Sequence, residues 1–279
     1  CNGIEAVKRG ISKTKKRGNQ QRMLCKSCGK TFIADTGFWK MKNKGEIISM
    51  CIDMYLSNLS SRKMRNQLKR HFGIKISHVT ILDWVRKYVL KVQKFINRLK
   101  PKLSGYMYAD ETEIDCQHRR DIFWCSVDWD TRFINATLYS PNNQNMNDAT
   151  EFMRRIAKTK RPKYIQTDAL PFYPRAFRRV FHSRYKHRHV EHRIVSYQKT
   201  RKHNVRIETV FSKIKDRVHD FRGFKALWSA PILMAGIVLQ HNYIEKHSTT
   251  GKVPCELAEQ KFNLGENRWM GLIRMSSFY

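Results

Sequence analysis

Acidic residues are scarce. The 279-residue chain carries 23 Asp+Glu against 55 Lys+Arg, a formal net charge of +32 and a pI near 10.2. So lopsided a charge in a foldable chain points to a polyanionic partner, because the field otherwise only opposes compaction. Nucleic acid ranks first and an anionic membrane surface second. Long apolar runs are lacking too. The longest, Ala230 to Leu239, contains Pro231 and is too short for a membrane span of about 20 residues, and no secretory signal opens the chain. Cysteine, at 7 residues, is too sparse for a disulfide framework. In a large chain of intracellular, cytoplasmic character these thiols point to metal binding. The first residue is Cys1 rather than Met, so a further N-terminal piece is expected. What the chain does have is apolar content, 41% hydrophobic and 11% aromatic. That is enough to bury a core, and it excludes a disordered basic tail.

Residues 1–43 are rich in Lys, Arg, Gly and Asn and show no amphipathic period. Within them, Cys25-Lys-Ser-Cys28-Gly29 has the spacing of one knuckle of a tetrahedral zinc site. A zinc-ribbon-like segment is expected, with Cys1, Cys25 and Cys28 as zinc ligands and a fourth ligand upstream. A redox pair or two unmetallated thiols are the alternatives. Residues 44–100 read as three helices. Ile47, Ile48, Cys51, Met54 and Tyr55 recur at helical spacing, and Ser61, Met64, Leu68 and Phe72 follow, with Gly73 as a stop. Ser77 caps a third helix through Val79, Leu82, Val85, Val89 and Val92. Three short helices with a basic third suggest a helix-turn-helix DNA-binding domain. His78, Thr80, Ile81, Arg86 and Lys87 are its candidate DNA-reading residues. A plain helical bundle with solvated cations is the rival. Lys100-Pro101-Lys102 closes the domain.

From Gly105 the period changes. Strands are expected over Tyr106–Asp110, Asp121–Asp128, Phe133–Tyr139, Lys163–Asp168 and Arg184–Val190. Helices are expected over Asn147–Lys158, Pro171–Phe181 and Arg206–Arg217, which makes an α/β order. Asp110 and Asp168 close two of these strands, and Glu208 lies on a helix able to cross the same sheet edge. Carboxylates are the ligands Mg²⁺ prefers, and two such ions about 4 Å apart activate and stabilise the two oxygens of a phosphodiester exchange. Between Arg175 and Lys225 the sequence has 16 Lys+Arg and 4 Asp+Glu, so Glu208 sits in a basic field suited to nucleic acid. Strand-terminal Asp residues also serve as turn formers, and Glu111, Glu113 and Asp115 compete nearby, so spacing alone leaves the triad open. Trp124 and Trp129 read as sheet packing rather than base-stacking residues.

The second half resembles the DDE transposases of prokaryotic insertion sequences, above all the replicative, cointegrate-forming group. Tyr108-Ala-Asp110-Glu-Thr112 resembles the first motif and Thr167-Asp168-Ala169 the second. Val190-Glu-His-Arg193 follows. Asn204-Val-Arg-Ile-Glu208-Thr209, continuing to Arg217, resembles the third. Phe221-Arg-Gly-Phe224, Asn242-Tyr243 and Gly251-Lys-Val-Pro254 extend the match, and the N-terminal knuckle and helices fit it. The resemblance implies an RNase H-like catalytic domain over 104–247, preceded by the zinc-ribbon-like segment and the helix-turn-helix and followed by a tail over 248–279. It implies Asp110, Asp168 and Glu208 as the catalytic, Mg²⁺-binding triad, with two Mg²⁺ ions and Mn²⁺ able to substitute. Lys215, Arg217 and Arg222 would contact DNA, Lys225 likewise, and His192 and Arg193 would line the site. Asp168 and Glu208 stand 40 positions apart, more than is usual in the family, and a longer loop within Arg184–Lys202 accounts for it. The function implied is binding of an element's terminal repeats, followed by strand cleavage and transfer into double-stranded target DNA by a homodimer or higher assembly. A catalytically silent DNA-binding regulator and a structure-specific nuclease are the alternatives.

Overall fold

Three serines and glycines punctuate the first half of the chain as their chemistry requires. The computed structural model describes residues 5–14, 18–33, 37–141, 144–185, 188–195 and 205–277. In it, helices α1 (Gly45–Leu56), α2 (Ser61–Phe72) and α3 (His78–Ile96) follow one another. Ser60 Oγ accepts the Lys63 amide at 3.3 Å and Ser77 Oγ accepts the Thr80 amide at 3.0 Å, each satisfying an orphan donor of a first helical turn. Gly73, at φ +63°, closes α2. The buried face of α3 is Ile81, Trp84, Val85, Tyr88, Val89 and Val92, while Val79 is exposed. Ile81, expected to read DNA, is therefore a core residue.

Ahead of these helices lies a feature without a signature in the sequence. Strands β1 (Ala6–Thr14), β2 (Gly18–Cys25) and β3 (Thr31–Ile33) form an antiparallel sheet in that order. Its described side chains are largely exposed, so no alternation of apolar and polar residues betrays it.

The central sheet has five strands in the order β6-β5-β4-β7-β8. They are β4 (Tyr106–Cys116), β5 (Arg119–Asp128), β6 (Ile134–Ser140), β7 (Tyr164–Thr167) and β8 (Glu191–Ile194). β4, β5 and β6 are antiparallel, whereas β7 and β8 run parallel to β4, which makes the sheet mixed. Two expectations change. β4 does not end at Asp110 but continues to Cys116, where Gln117 and His118, at φ +54° and +62°, form a two-residue turn into β5. Both positive φ values are those of a tight hairpin turn, here without the Asn-Gly pair that usually announces one. The last strand lies at Glu191–Ile194, not at 184–190. Helices α4 (Met146–Thr159) and α5 (Phe172–Phe181) cover Trp124, whose ring meets Phe152 and Tyr173 at centroid distances of 5.7 Å and 5.7 Å. Helix α6 (Val205–Asp220) packs on β4 and β5. Trp124 is wholly buried and donates to Ser140 Oγ, so packing is its role.

The C-terminal stretch is not a tail. Helix α7 (Ala230–Leu239) is apolar on every side and largely buried, and it continues through a π-helical turn, Gln240–Ile244. α8 (Pro254–Leu257) and α9 (Arg268–Met275) follow. Trp269 is 1% exposed and donates to Gln240 Oε1 at 2.6 Å, while Gln240 Nε2 donates to Asp53 at 2.8 Å. Asn267 donates to Ser49 at 2.9 Å. α7 passes close to the first helices at Gly236, where a Cβ would stand 3.0 Å from Leu56 and Val89. Residues expected to form separate domains thus share one continuous core. No helix among the described residues is long and apolar enough to cross a membrane.

Replacing Trp269 with Ala removes a fully buried ring and the donor to Gln240. We expect a loss of about 3–5 kcal/mol in denaturant unfolding of the full chain. A loss below about 1 kcal/mol, the ordinary effect of a point substitution, would show 248–277 to be an appendage.

Candidate active site

The register of one strand pair assembles the site. β4 and β7 pair in parallel with Tyr106 opposite Tyr164, Met107 opposite Ile165 and Tyr108 opposite Gln166. The same offset carried two residues further sets Asp110 beside Asp168. β7 ends at Thr167, so Asp168 leaves the sheet just there, and its Oδ1 accepts the Leu170 amide at 3.0 Å, pinning the turn into α5.

A third carboxylate joins them. One ligand oxygen each from Asp110, Glu111 and Asp168 lies within 4.8 Å of the others. Glu111 is the residue that reading the sequence left among the competitors. Being next to Asp110 in an extended strand it leaves the backbone on the other side, and it is held there by two donors. The buried Tyr173 hydroxyl on α5 donates to Oε2, and the Gln144 amide donates to Oε1 at 3.0 Å. The sequence carried a partial signal, since Glu111 and Tyr173 both adjoin the two motifs, but no spacing rule links them.

Crowding makes these acids reluctant to ionise. Burial pushes the Asp110 carboxyl up to about 8, assisted by the charges of Glu111, Asp168 and Glu208. Burial pushes Glu111 up to about 7 against the opposing pull of the Tyr173 hydrogen bond, and Asp168 is raised by burial too. Glu208 sits on the exposed side of the first turn of α6, outside the trio, and its charge acts on Asp110 more weakly than those of Glu111 and Asp168. Three crowded carboxylates, raised by burial and mutual repulsion, suit a hard divalent cation that relieves both.

Around them, His192 on β8 shares a hydrogen bond of 3.0 Å with Thr167 Oγ1 and stacks on Phe177 at 4.5 Å. It buttresses the residue next to Asp168, and burial lowers its own pKa. Arg193 pairs with Glu191 at 2.7 Å and lies over the Tyr164 ring.

The residues expected to touch DNA divide. Lys215 and Arg222 are exposed, as is Lys225. Arg217 is turned inward. It is 8% exposed and ion-paired with Glu245, so it is not a DNA contact. Ile207, Val210, Phe211, Ile214 and Val218 are the buried stripe of α6, and position 217 falls on it, a periodicity the sequence already held. Arg86 is engaged as well, donating to Ser229 at 2.9 Å, pairing with Asp83 at 3.4 Å and lying 4.6 Å over the Trp228 ring. Thr80 Oγ1 is bonded to the Ser77 hydroxyl, His78 is half-buried, and Lys87 is exposed with Nζ 3.3 Å from Met41 Sδ.

Cys25 and Cys28 stand at the two ends of a tight turn. The Gly29 amide donates to the Cys25 carbonyl at 2.9 Å, and hydrogen bonding from the Cys28 and Ser27 amides holds the Cys25 thiol below its ordinary range. Cys1 lies outside the described residues. Among the described residues no third ligand group completes a zinc site with this pair.

The sequence model of the DDE domain of IS240-type transposases matches residues 105–247. No curated protein matches the chain. Among solved structures, the chain is similar to the HTLV-2 integrase catalytic core domain in complex with magnesium, at 14% identity over 57% of this chain and 97% of that one, with a TM-score of 0.41. It is also similar to the simian T-cell lymphotropic virus intasome bound to PP2A regulatory subunit B56 gamma, at 13% identity, 71% of each chain and a TM-score of 0.45. The catalytic core domain of BIV integrase matches at 13% identity over 56% of this chain and 95% of that one, with a TM-score of 0.41.

The raised carboxyls set a pH dependence. Asp110 titrates near 8 when folded against 3.8 unperturbed, so across that window the folded chain keeps a proton the unfolded chain has lost, and stability falls as pH rises. A divalent cation competes with that proton. Mg²⁺ should therefore raise the melting temperature more at about pH 8 than at about pH 6, and Asp110→Asn should shrink the difference, leaving the part due to Glu111, which burial raises to about 7. Equal shifts at both pH values in scanning fluorimetry would mean the ion binds elsewhere.

Proposed function

The chain belongs to the DDE-domain family of IS240-type transposases, a polynucleotidyl transferase-type enzyme, and from that premise we propose that it binds the terminal repeats of its own element and cuts and joins DNA there. The observation that carries this reading is the parallel register that sets Asp110 beside Asp168, with Glu111 completing a carboxylate cluster.

In this reading Asp110, Asp168 and Glu208 hold Mg²⁺, with Mn²⁺ able to replace it, and Glu111 holds the cluster's geometry or adds a ligand oxygen. Such ions, when bound, make the attacking oxygen a better nucleophile and stabilise the leaving oxygen. The chain's own residues position and balance charge. A water oxygen attacks phosphorus, the P–O3′ bond breaks, and the departing oxygen takes a proton to leave a free 3′-hydroxyl. That hydroxyl then attacks a target phosphodiester, one P–O bond forming as another breaks. No side chain here becomes covalently bound to DNA. The RNase H-like character of the α/β core accords with this chemistry. Lys215 and Arg222 contact phosphates near the reacting strand, while His78 and Thr80 at the start of α3 and Lys87 at its middle read the element end as a helix-turn-helix would. Pairing two ends calls for a dimer or higher assembly. The Cys25–Cys28 turn takes up structural zinc only with two further ligands.

Asp168→Asn keeps the side chain's shape and removes its charge. With a labelled terminal-repeat duplex and Mg²⁺ or Mn²⁺, wild-type chain should cleave and transfer strands, and the variant should lose about 10²–10³-fold or more of both while still binding DNA. Binding without metal-dependent cleavage by the wild type would instead favour a silent regulator.

A further inference from the structure

The helical unit and the catalytic sheet face each other across a cleft of about 1410 Å³. One wall carries Arg62 and Lys63, from the start of α2, and His78, from the start of α3. The other carries Lys215 near the end of α6 and Arg222 and Lys225 in the turn that follows. Of these, Arg62, Lys63, Lys215, Arg222 and Lys225 are exposed. A small-molecule pocket is typically about 300–1,000 Å³ and mostly apolar, so this cleft is both too large and too cationic for that use.

Three acids lie among these cations, fewer than the cations themselves. Glu113 pairs with Arg120 at 3.3 Å. Asp115 lies against Gly223, where a Cβ would come within 2.6 Å of its carboxylate, which explains a glycine at φ +70° there. Asp220 is the remaining acid of the lining.

The two walls are fixed to one another. Tyr55 of α1 stacks on Phe221 at 4.9 Å and 10°, Arg86 of α3 donates to Ser229, and α7 packs against α1 and α3 through Gly236. The cleft also leads to the carboxylates along two elements. Asp115 and Asp110 lie on one strand, five residues apart, which at about 3.3 Å per residue is roughly 16 Å. Lys215 and Glu208 lie on one helix, seven residues apart, which at 1.5 Å per residue is about 10 Å. Along the duplex axis the phosphates of one strand advance by about 3.4 Å, so for a duplex lying with its axis along the cleft these spans are about three to five nucleotides.

We propose that this cleft is a track for the phosphate backbone of the strand being cut, joining the end-binding helices to the carboxylates over about three to five nucleotides. The proposal rests on the transposase reading above and adds to it that recognition and chemistry share one continuous surface of fixed length. The distance from the recognised sequence to the cut is then set by the docking of α1, α3 and α7 rather than by a linker.

The test uses the full chain, a labelled duplex of the terminal repeat flanking its own gene, and two double variants, Arg62→Ala/Lys63→Ala and Lys215→Ala/Lys225→Ala, one on each wall. All four positions are exposed, and thermal melting checks that each variant folds. The slope of log affinity against log salt should become shallower by about two for each variant, since each lost phosphate contact removes about one. A photo-crosslinker placed at position 63 or 225 should label the same strand within about five nucleotides of the cleaved bond. Unchanged salt slopes for a folded variant, or labels on different strands, would overturn the track while leaving cleavage by the wild type intact. A wild-type chain that neither binds nor cuts the duplex would sink the transposase reading and the track with it.

Discussion

Parallel pairing between β4 and β7 is the constraint on which the rest of the site depends. It sets Asp110 beside Asp168, and it does so against the repulsion of two half-buried carboxyls. Such a pair persists only if the surrounding structure over-determines it. The surroundings meet that need in layers. The Leu170 amide holds Asp168, the hydroxyl of Tyr173 and the amide of Gln144 hold Glu111, and His192 braces Thr167 from the next strand. Behind them, the wholly buried Trp124 packs on Phe152 and Tyr173 and joins β5 to α4 and to α5, the helix that carries the Tyr173 hydroxyl. The apolar core and the polar site are thus one device. The first supplies the rigidity that lets the second keep like charges together until a cation relieves them.

The parts of this arrangement that could be read in advance were those with local chemistry. Ser60, Gly73 and Ser77 mark helix ends because capping is a contact between near neighbours in sequence. The strands around Trp124 were legible because buried strands are apolar and β-branched. What escaped notice was long-range or lacked a pattern. The N-terminal sheet has little apolar face to show. The Gln117–His118 turn uses residues that seldom adopt positive φ, so nothing local signals that β4 runs past Asp110 to Cys116. Glu111 was visible only as a neighbour, since its role depends on a hydroxyl 62 positions away. The segment over 248–279 reads as a tail because an anchor such as Asn267 to Ser49 crosses nearly the whole chain.

Arg86 and Arg217 teach a narrower lesson about charge. Both were nominated for DNA because they are basic and lie near a motif. Arg217 occupies the apolar stripe of α6, where a guanidinium is tolerated only with a partner, and Glu245 is that partner. Arg86 is drawn onto Ser229, Asp83 and Trp228 and ties α3 to the start of α7. Periodicity was the better guide than sign in the first case. In the second only the fold could say.

The excess of +32 therefore divides into cations that hold the protein together and cations that face outward. A polyanion neutralises the second kind, and their positions decide what the excess does. On either side of the cleft, outward cations come from elements far apart in sequence, α2 on one wall and the end of α6 on the other, and a shared core fixes the gap between them. Self-repulsion across that gap is a standing cost to the unliganded fold. A bound phosphate chain removes it, so binding and stability are linked, and the chain should be most compact when its cleft is filled. The same linkage applies at the carboxylates with the sign reversed, where a cation does what the phosphates do in the cleft. Under the transposase reading, metal and DNA would thus relieve opposite strains at the two ends of one path.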